Sequence, residues 1–293
     1  MILVFTKLKY YYKLEKERRD KMPELPEVET VKETLKRQIL NKKINRIKIL
    51  YDGIIASNID EFKKKIIGQT IIDITRRGKW LIFSLNDYYL VSHLRMEGKF
   101  FLKDESDEIN KHEHVIFYLD DISLRYHDTR KFGKMYLVEK DNLYTDTPLK
   151  TIGLEPWDDN LTSNYLKEKY NKNISIKTLL LNQEVITGIG NIYADEVLFM
   201  SQINPNKKGK DLTLTELDKI IDNTKIVLEK AIKLGGTTIR SYTSSLGVTG
   251  RFQNELMVHQ RENEKCYICK EIIIKTKVNG RGTYYCPKCQ RGV

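Results

Sequence analysis

The stretch CYICKEIIIKTKVNGRGTYYCPKC, residues 266–289, holds all four cysteines of the 293-residue chain. They form two C-x-x-C pairs, Cys266/Cys269 and Cys286/Cys289, with sixteen residues between them. Each pair lets two thiolates hold one ion from a tight turn, and two pairs complete the tetrahedron that zinc prefers. The residues between alternate apolar and polar on both sides of Asn279-Gly280, a dipeptide suited to the left-handed backbone of a two-residue hairpin turn. The spacing predicts a zinc ribbon with Arg281 beside its tip. Two disulfides are the alternative, disfavoured inside a cell. Four sulfur ligands close the coordination shell, so one structural Zn2+ is expected, which shapes the ribbon and does no chemistry.

The region around this ribbon is basic. Residues 251–293 carry nine Lys/Arg against four Asp/Glu, and residues 1–21 carry seven against three, within a net charge of +11. Such concentration suggests a nucleic-acid-facing module, although a Lys-, Ile-, Asn- and Tyr-rich codon bias would give the same total. No apolar run approaches the ~20 residues that cross a bilayer. The N-terminal patch Ile2–Phe5 is too short for the apolar region of a secretory signal. The expectation is a soluble, cytoplasmic monomer with no membrane partner.

Upstream, the chain reads as an α+β protein in three parts. From Pro26 a helix is predicted: proline suits its first turn, Glu27 and Glu29 complement its positive end, and Val28, Val31, Leu35 and Ile39 form an apolar stripe. Short alternating segments follow, among them INRIKIL, TIIDITRRGKWLIFSL, YYLVSHLRMEGKFFL, HVIFYL and GKMYLV, a pattern for an antiparallel β-sandwich or barrel ending near Lys150. Helices are predicted over 162–170, 175–183, 192–202 and 213–234, the last opened by a Thr213/Glu216 capping box and closed by Gly235-Gly236. The expected boundaries are 1–21 for an extra lead segment, 22–150 for the β-sandwich with its helix, 151–250 for the helical domain and 251–293 for the ribbon. In NQEVITGIGNIYADE, a glycine-containing turn before a helix N-terminus would suit a phosphate or serve as a plain helix–turn–helix hairpin.

In this order, MPELPEVETV, GKW, HLRMEG, DTRKFG, GIGNIYADE and the four-cysteine finger resemble bacterial formamidopyrimidine-DNA glycosylase, which removes oxidised purines. The resemblance runs from Met22 to the C-terminus. It implies a β-sandwich, a helix–two-turn–helix domain and a zinc finger, and a double-stranded DNA partner containing oxidised purines. It also implies glycosylase and β,δ-elimination lyase activity in base excision repair.

The same resemblance assigns roles. Pro23 matches the N-terminal proline whose amine attacks the sugar once the preceding methionine is removed. An α-amino group titrates near pH ~8, so part of it is an uncharged nucleophile at neutral pH. Glu24 matches the acid/base beside it, and Glu27 a second carboxylate beneath the site, where completing the helix dipole would account for it equally well. Lys79 matches a lysine on a backbone phosphate. Asn191 and Arg281 match residues that grip phosphates around the extruded nucleotide, with Lys177 as a further contact. Met96, Arg130 and Phe132 match the set that fills the space left by the flipped base. Arg95 stands where some relatives carry a small residue. The polar segment 235–252 matches the loop that closes over the base. His112 and His114 have no third metal partner, and His93 and His127 read as packing or hydrogen-bonding residues.

Residues 1–21 depart from the pattern. While they are attached, the Pro23 nitrogen is a tertiary amide and cannot form a Schiff base. An upstream start assignment, with initiation at Met22, is the favoured expectation. Glu17-Arg18-Arg19-Asp20 can be encoded GAA-AGG-AGA-GAT, which contains a ribosome-binding AGGAG. Proteolytic removal and a non-catalytic damaged-DNA-binding protein with a basic arm are the alternatives. An oxidised-pyrimidine glycosylase is a nearer one, with PELPEV and the Met96/Arg130/Phe132 set favouring purines.

Overall fold

The computed structural model describes residues 22–237 and 250–291. Helix α1 (Leu25–Ile39) has proline in its first turn and buries the stripe Val28, Val31, Leu35 and Ile39. That stripe packs into the core of a β-sandwich. Strands β1 (Arg46–Ile49), β6 (Glu113–Tyr118), β7 (Ser123–His127) and β5 (Lys99–Lys103) form one sheet, in that order. Strands β2 (Asp73–Arg77), β3 (Trp80–Ser84), β4 (Tyr88–His93) and β8 (Lys134–Glu139) form the other. All neighbours within both sheets are antiparallel. Alternation sorts the side chains: Leu81 and Phe83 enter the shared core, while Trp80 and Ile82 face a second cluster with Leu143 and Leu149.

A helix that the alternating pattern did not predict, α2 (Ile59–Ile66), interrupts the strands. The Asn58 side chain accepts from the Asp60 and Glu61 amides at its start, and Phe62 and Ile66 anchor it in the sandwich core.

The helical domain consists of α3 (Ser163–Tyr170), α4 (Ile176–Leu180), α5 (Asn191–Met200) and α6 (Leu214–Lys233). Of the predicted 175–183 helix only α4 forms. Beyond it the chain turns around Gln183, whose amide donates to Leu181 O and Ile189 O while its oxygen accepts the Gly188 N–H. The Thr213/Glu216 capping box opens α6 as expected. Leu25, in the first turn of α1, belongs to this domain's core and not to the sandwich's. One helix therefore enters both cores, and its N-terminus stands where they meet.

A strap fixes the join. Arg76 bonds Glu29 at 2.8 Å and Glu155 at 3.0 Å, and Leu154 exchanges backbone bonds with Val185 and Thr187. In the ribbon, β9 (Ile274–Val278) and β10 (Arg281–Tyr285) pair with Arg281 opposite Val278. Asn279 and Gly280 between them have φ of 47° and 76°, as the hairpin turn requires. Phe199 of α5 completes the ribbon's small core with Val258, Ile273, Cys266 and Cys286.

Candidate functional site

Pro23 is half-buried immediately before α1. The next residue, Glu24, is buried and points its carboxylate at the start of α5, where it accepts the Ile192 N–H at 3.0 Å and the Tyr193 N–H at 3.4 Å. The positive end of α5 thus receives a carboxylate from a segment far away in sequence. Glu24 occupies two amides at the start of α5, and in the turn before it the Gly188 N–H donates to the Gln183 side chain. Leu25 N–H donates to Gly188 O at 3.1 Å, tying the same segment to the turn before α5.

Glu27 does more than complete a dipole. Its carboxylate accepts from the Glu24 N–H at 2.9 Å, the Tyr193 hydroxyl at 2.6 Å, and the Thr237 N–H and hydroxyl at 2.8 and 3.0 Å. Residues 238–249 of the expected closing loop lie outside the described residues.

Lys79, only 5% exposed, donates to Ile189 O at 2.9 Å. Its charge acts on Glu24, and Arg281 acts on it in turn. Burial pushes the Glu24 carboxyl above the ordinary carboxylate range, with Lys79 opposing the shift. Burial likewise holds the Lys79 ammonium below its ordinary value, opposed by Glu24 and Glu27. The pair can hold a proton on the acid and release one from the amine more readily than free side chains would.

Arg281 is exposed at the ribbon tip, and Asn191 opens α5 beside it, its Nδ2 donating to Gly282 O at 3.0 Å. Lys177 is placed differently from the expectation. It is 0% exposed, and its ammonium is engaged by Asp195, Gly282 and Thr283 at 2.7, 2.9 and 2.9 Å. A direct phosphate contact would break one of these bonds.

Two sandwich turns carry the remaining predicted residues. Arg95 and half-buried Met96 follow β4, and Arg95 holds φ at 54°, a left-handed backbone that favours smaller residues. His93 Nδ1 accepts the Arg95 N–H at 2.8 Å. Burial, then the Arg95 and Lys79 charges, pushes this histidine down to about 3, so it is neutral. After β7, Asp128 accepts the Arg130, Phe132 and Gly133 amides at 2.9 Å each, folding DTRKFG into a tight loop. Phe132 is 50% exposed, and the Arg130 guanidinium lies 4.7 Å from its ring centre. Sequence reading missed Asp128, whose signal was an Asp placed two residues before the amide it caps. It also missed the Arg76–Glu155 strap, which nothing local announces.

The four cysteines are free thiols whose sulfurs all lie within 4.8 Å of one another. Cys266 and Cys289 sulfurs are 3.9 Å apart, and Cys269 and Cys286 sulfurs 3.4 Å apart. Zn–S bonds of about 2.3 Å at tetrahedral angles place sulfurs about 3.8 Å apart, so the set fits one structural zinc and not two disulfides. Among the described residues this is the one His/Cys/Asp/Glu group with metal-site spacing. His114 is the second residue of β6 and donates from Nε2 to Asp128 O at 2.7 Å. His112 and His127 stack edge to face. No described helix is long and apolar enough to cross a membrane.

Family models match three consecutive parts of the chain. Residues 22–135 match the formamidopyrimidine-DNA glycosylase N-terminal domain, 152–243 its H2TH domain, and 263–292 a zinc finger found in FPG and IleRS. The formamidopyrimidine-DNA glycosylase of Bacillus cereus is 46% identical over 273 residues, covering 92% of this chain and 99% of the relative. That of Oceanobacillus iheyensis is 45% identical, covering 92% and 98%. Among solved structures, the Lactococcus lactis Fpg in complex with abasic-site DNA is 42% identical, with a TM-score of 0.87 over 92% of this chain and 100% of that one. The same enzyme with N7-benzyl-Fapy-dG DNA gives equal identity, score and coverage.

Proposed function

The chain belongs to the formamidopyrimidine-DNA glycosylase family, and on that premise we propose that it excises oxidised purines from duplex DNA through the amine of Pro23. The lone pair of that amine attacks C1′ of the damaged nucleotide, the bond from C1′ to the base breaks, and the proton shed by the amine balances the one taken up by the departing base. A proton from Glu24 opens the sugar ring. A proline iminium has no N–H to lose, so it keeps its charge and draws electrons for successive elimination of the 3′ and 5′ phosphates. Lys79, Asn191 and Arg281 hold backbone phosphates, while Met96, Arg130 and Phe132 fill the vacated stack. The enzyme works as a cytoplasmic monomer on its DNA.

The observation that carries this reading is the acid beside the nucleophile. Glu24, adjacent to Pro23, is buried on the α5 N-terminus with its carboxyl pushed up and the Lys79 charge beside it. Capping α5 accounts for the carboxylate's place, and the raised carboxyl next to Pro23 is what supports a proton-transfer role beyond capping. The second reading, binding without catalysis, rests on residues 1–21, which make the Pro23 nitrogen an amide while attached.

Borohydride trapping on a duplex containing 8-oxoguanine separates the two. The full 293-residue chain is compared with a chain starting at Met22, its methionine removal verified by intact mass. A covalent adduct from the Met22 form alone identifies Pro23 as the nucleophile. No adduct from either form leaves only the binding reading.

A further inference from the structure

Lys177 and Asp195 form an ion pair at 2.7 Å with both side chains 0% exposed. The Lys177 ammonium has three hydrogens, and the structure gives it three acceptors: Asp195, Gly282 O and the Thr283 hydroxyl. None is left for DNA. The Thr283 hydroxyl in turn donates to Arg281 O at 3.1 Å, and Asn191 joins Lys177 in donating to Gly282 O. The carbonyls of two consecutive residues at the ribbon tip, Arg281 and Gly282, are therefore fixed from α4 and α5.

Asp195 anchors the other side. Its second oxygen accepts from His259 Nδ1 at 2.8 Å and from the Tyr284 N–H at 3.3 Å. Its neighbour Glu196 gathers the Met257, Val258 and His259 amides at 2.8, 3.1 and 2.8 Å. A buried ion pair is a poor device for stability alone, since apolar side chains of equal volume serve as well. What it supplies is direction, several charged donors and acceptors at fixed angles.

We propose that Lys177, held by Asp195, is a positioning residue that aims Arg281 at a DNA phosphate and makes no phosphate contact itself. The proposal rests on the reading that Arg281 grips a phosphate.

The full chain is titrated with a duplex bearing a tetrahydrofuran abasic analogue, which needs no free Pro23 amine, over a range of salt. Each phosphate neutralised contributes about 0.9 to the slope of log affinity against log salt. Arg281→Ala should lower that slope by about 1. Lys177→Met should lower it equally, and the double variant should fall no further than Arg281→Ala alone. Thr283→Val, which keeps the Lys177–Asp195 pair, should show a partial loss that also vanishes in the Arg281→Ala background. Zinc content and thermal unfolding confirm that each variant is folded; if Lys177→Met is not, Thr283→Val decides. A double variant of Lys177 and Arg281 that loses about 2 makes Lys177 a phosphate ligand and overturns the proposal. Wild-type slopes for both Lys177→Met and Thr283→Val overturn it as well. If Arg281→Ala itself leaves the slope unchanged, the grip on phosphate fails and the proposal goes with it.

Discussion

Gly190 lies so close to Glu24 that a Cβ on the glycine would stand 2.2 Å from the carboxyl carbon. The backbone there is extended, with φ −122°, so any residue could adopt it. The requirement is space, and it is set by a carboxylate reaching the first amides of α5. Gly190→Ala should therefore displace Glu24 from beside Pro23 while α5 still forms. Displacement by about 1 Å from a reacting centre costs on the order of 10²-fold in rate. Single-turnover excision by the Met22-start protein checks this, and near-normal rates in a folded variant would rule out the placement of Glu24 as the acid.

Glu24 should also leave a mark on stability. Its carboxyl ordinarily titrates near 4.5, and burial raises it in the folded state. Between those two values the folded protein binds more protons than the unfolded chain, so stability falls as pH rises through the window. Glu24→Gln does not titrate. Its stability relative to wild type should grow from about pH 4.5 upward and level off once Glu24 is ionised in both states. Denaturant unfolding at a series of pH values measures the difference, and a flat difference would mean that burial does not perturb this carboxyl. Excision should drop by about 10²–10⁴-fold in the same variant.

What the sequence made legible is what local chemistry dictates. The cysteine pairs and Asn279-Gly280 specify the ribbon because ligand spacing and turn conformation are properties of a few adjacent residues. The α1 stripe and the Thr213/Glu216 cap are local for the same reason. Helix α2 was hidden because only Ile59, Phe62 and Ile66 mark its apolar face within an eight-residue element. The Glu24–Ile192 bond joins residues 168 apart, and no periodicity encodes it. Lys177 shows the limit most clearly: sequence reports a cation in a motif, but only packing reveals that Asp195, Gly282 and Thr283 consume it.

Phe132 offers a test with little risk to the fold. Its ring is half exposed, supported by the Arg130 guanidinium, while its amide is held by Asp128. Phe132→Ala should leave the thermal midpoint nearly unchanged, as surface changes do. A ring that stacks on a base contributes about 1–3 kcal/mol, so affinity for lesion duplex should fall by roughly 5- to 150-fold. A 2-aminopurine beside the lesion should brighten less on binding, reporting reduced unstacking. Unchanged fluorescence and affinity would remove Phe132 from the wedge.

Removing the metal should disconnect the tip from the rest of the site. The ribbon's own core is small, built from Val258, Ile273 and two of the cysteines against Phe199. Structural zinc sites supply about 10–16 kcal/mol in small fingers, far more than such a core provides. Chelation, or Cys286→Ser, should therefore unfold residues near 263–291 and release Arg281 from its place beside Asn191. The sandwich and helical domain hold separate cores and should keep their cooperative unfolding. DNA affinity should fall at least as far as in Arg281→Ala, and added zinc should restore it for the chelated protein but not for Cys286→Ser. Full affinity in a metal-free protein would mean that the ribbon holds Arg281 without zinc, and the case for metal as its scaffold would fail.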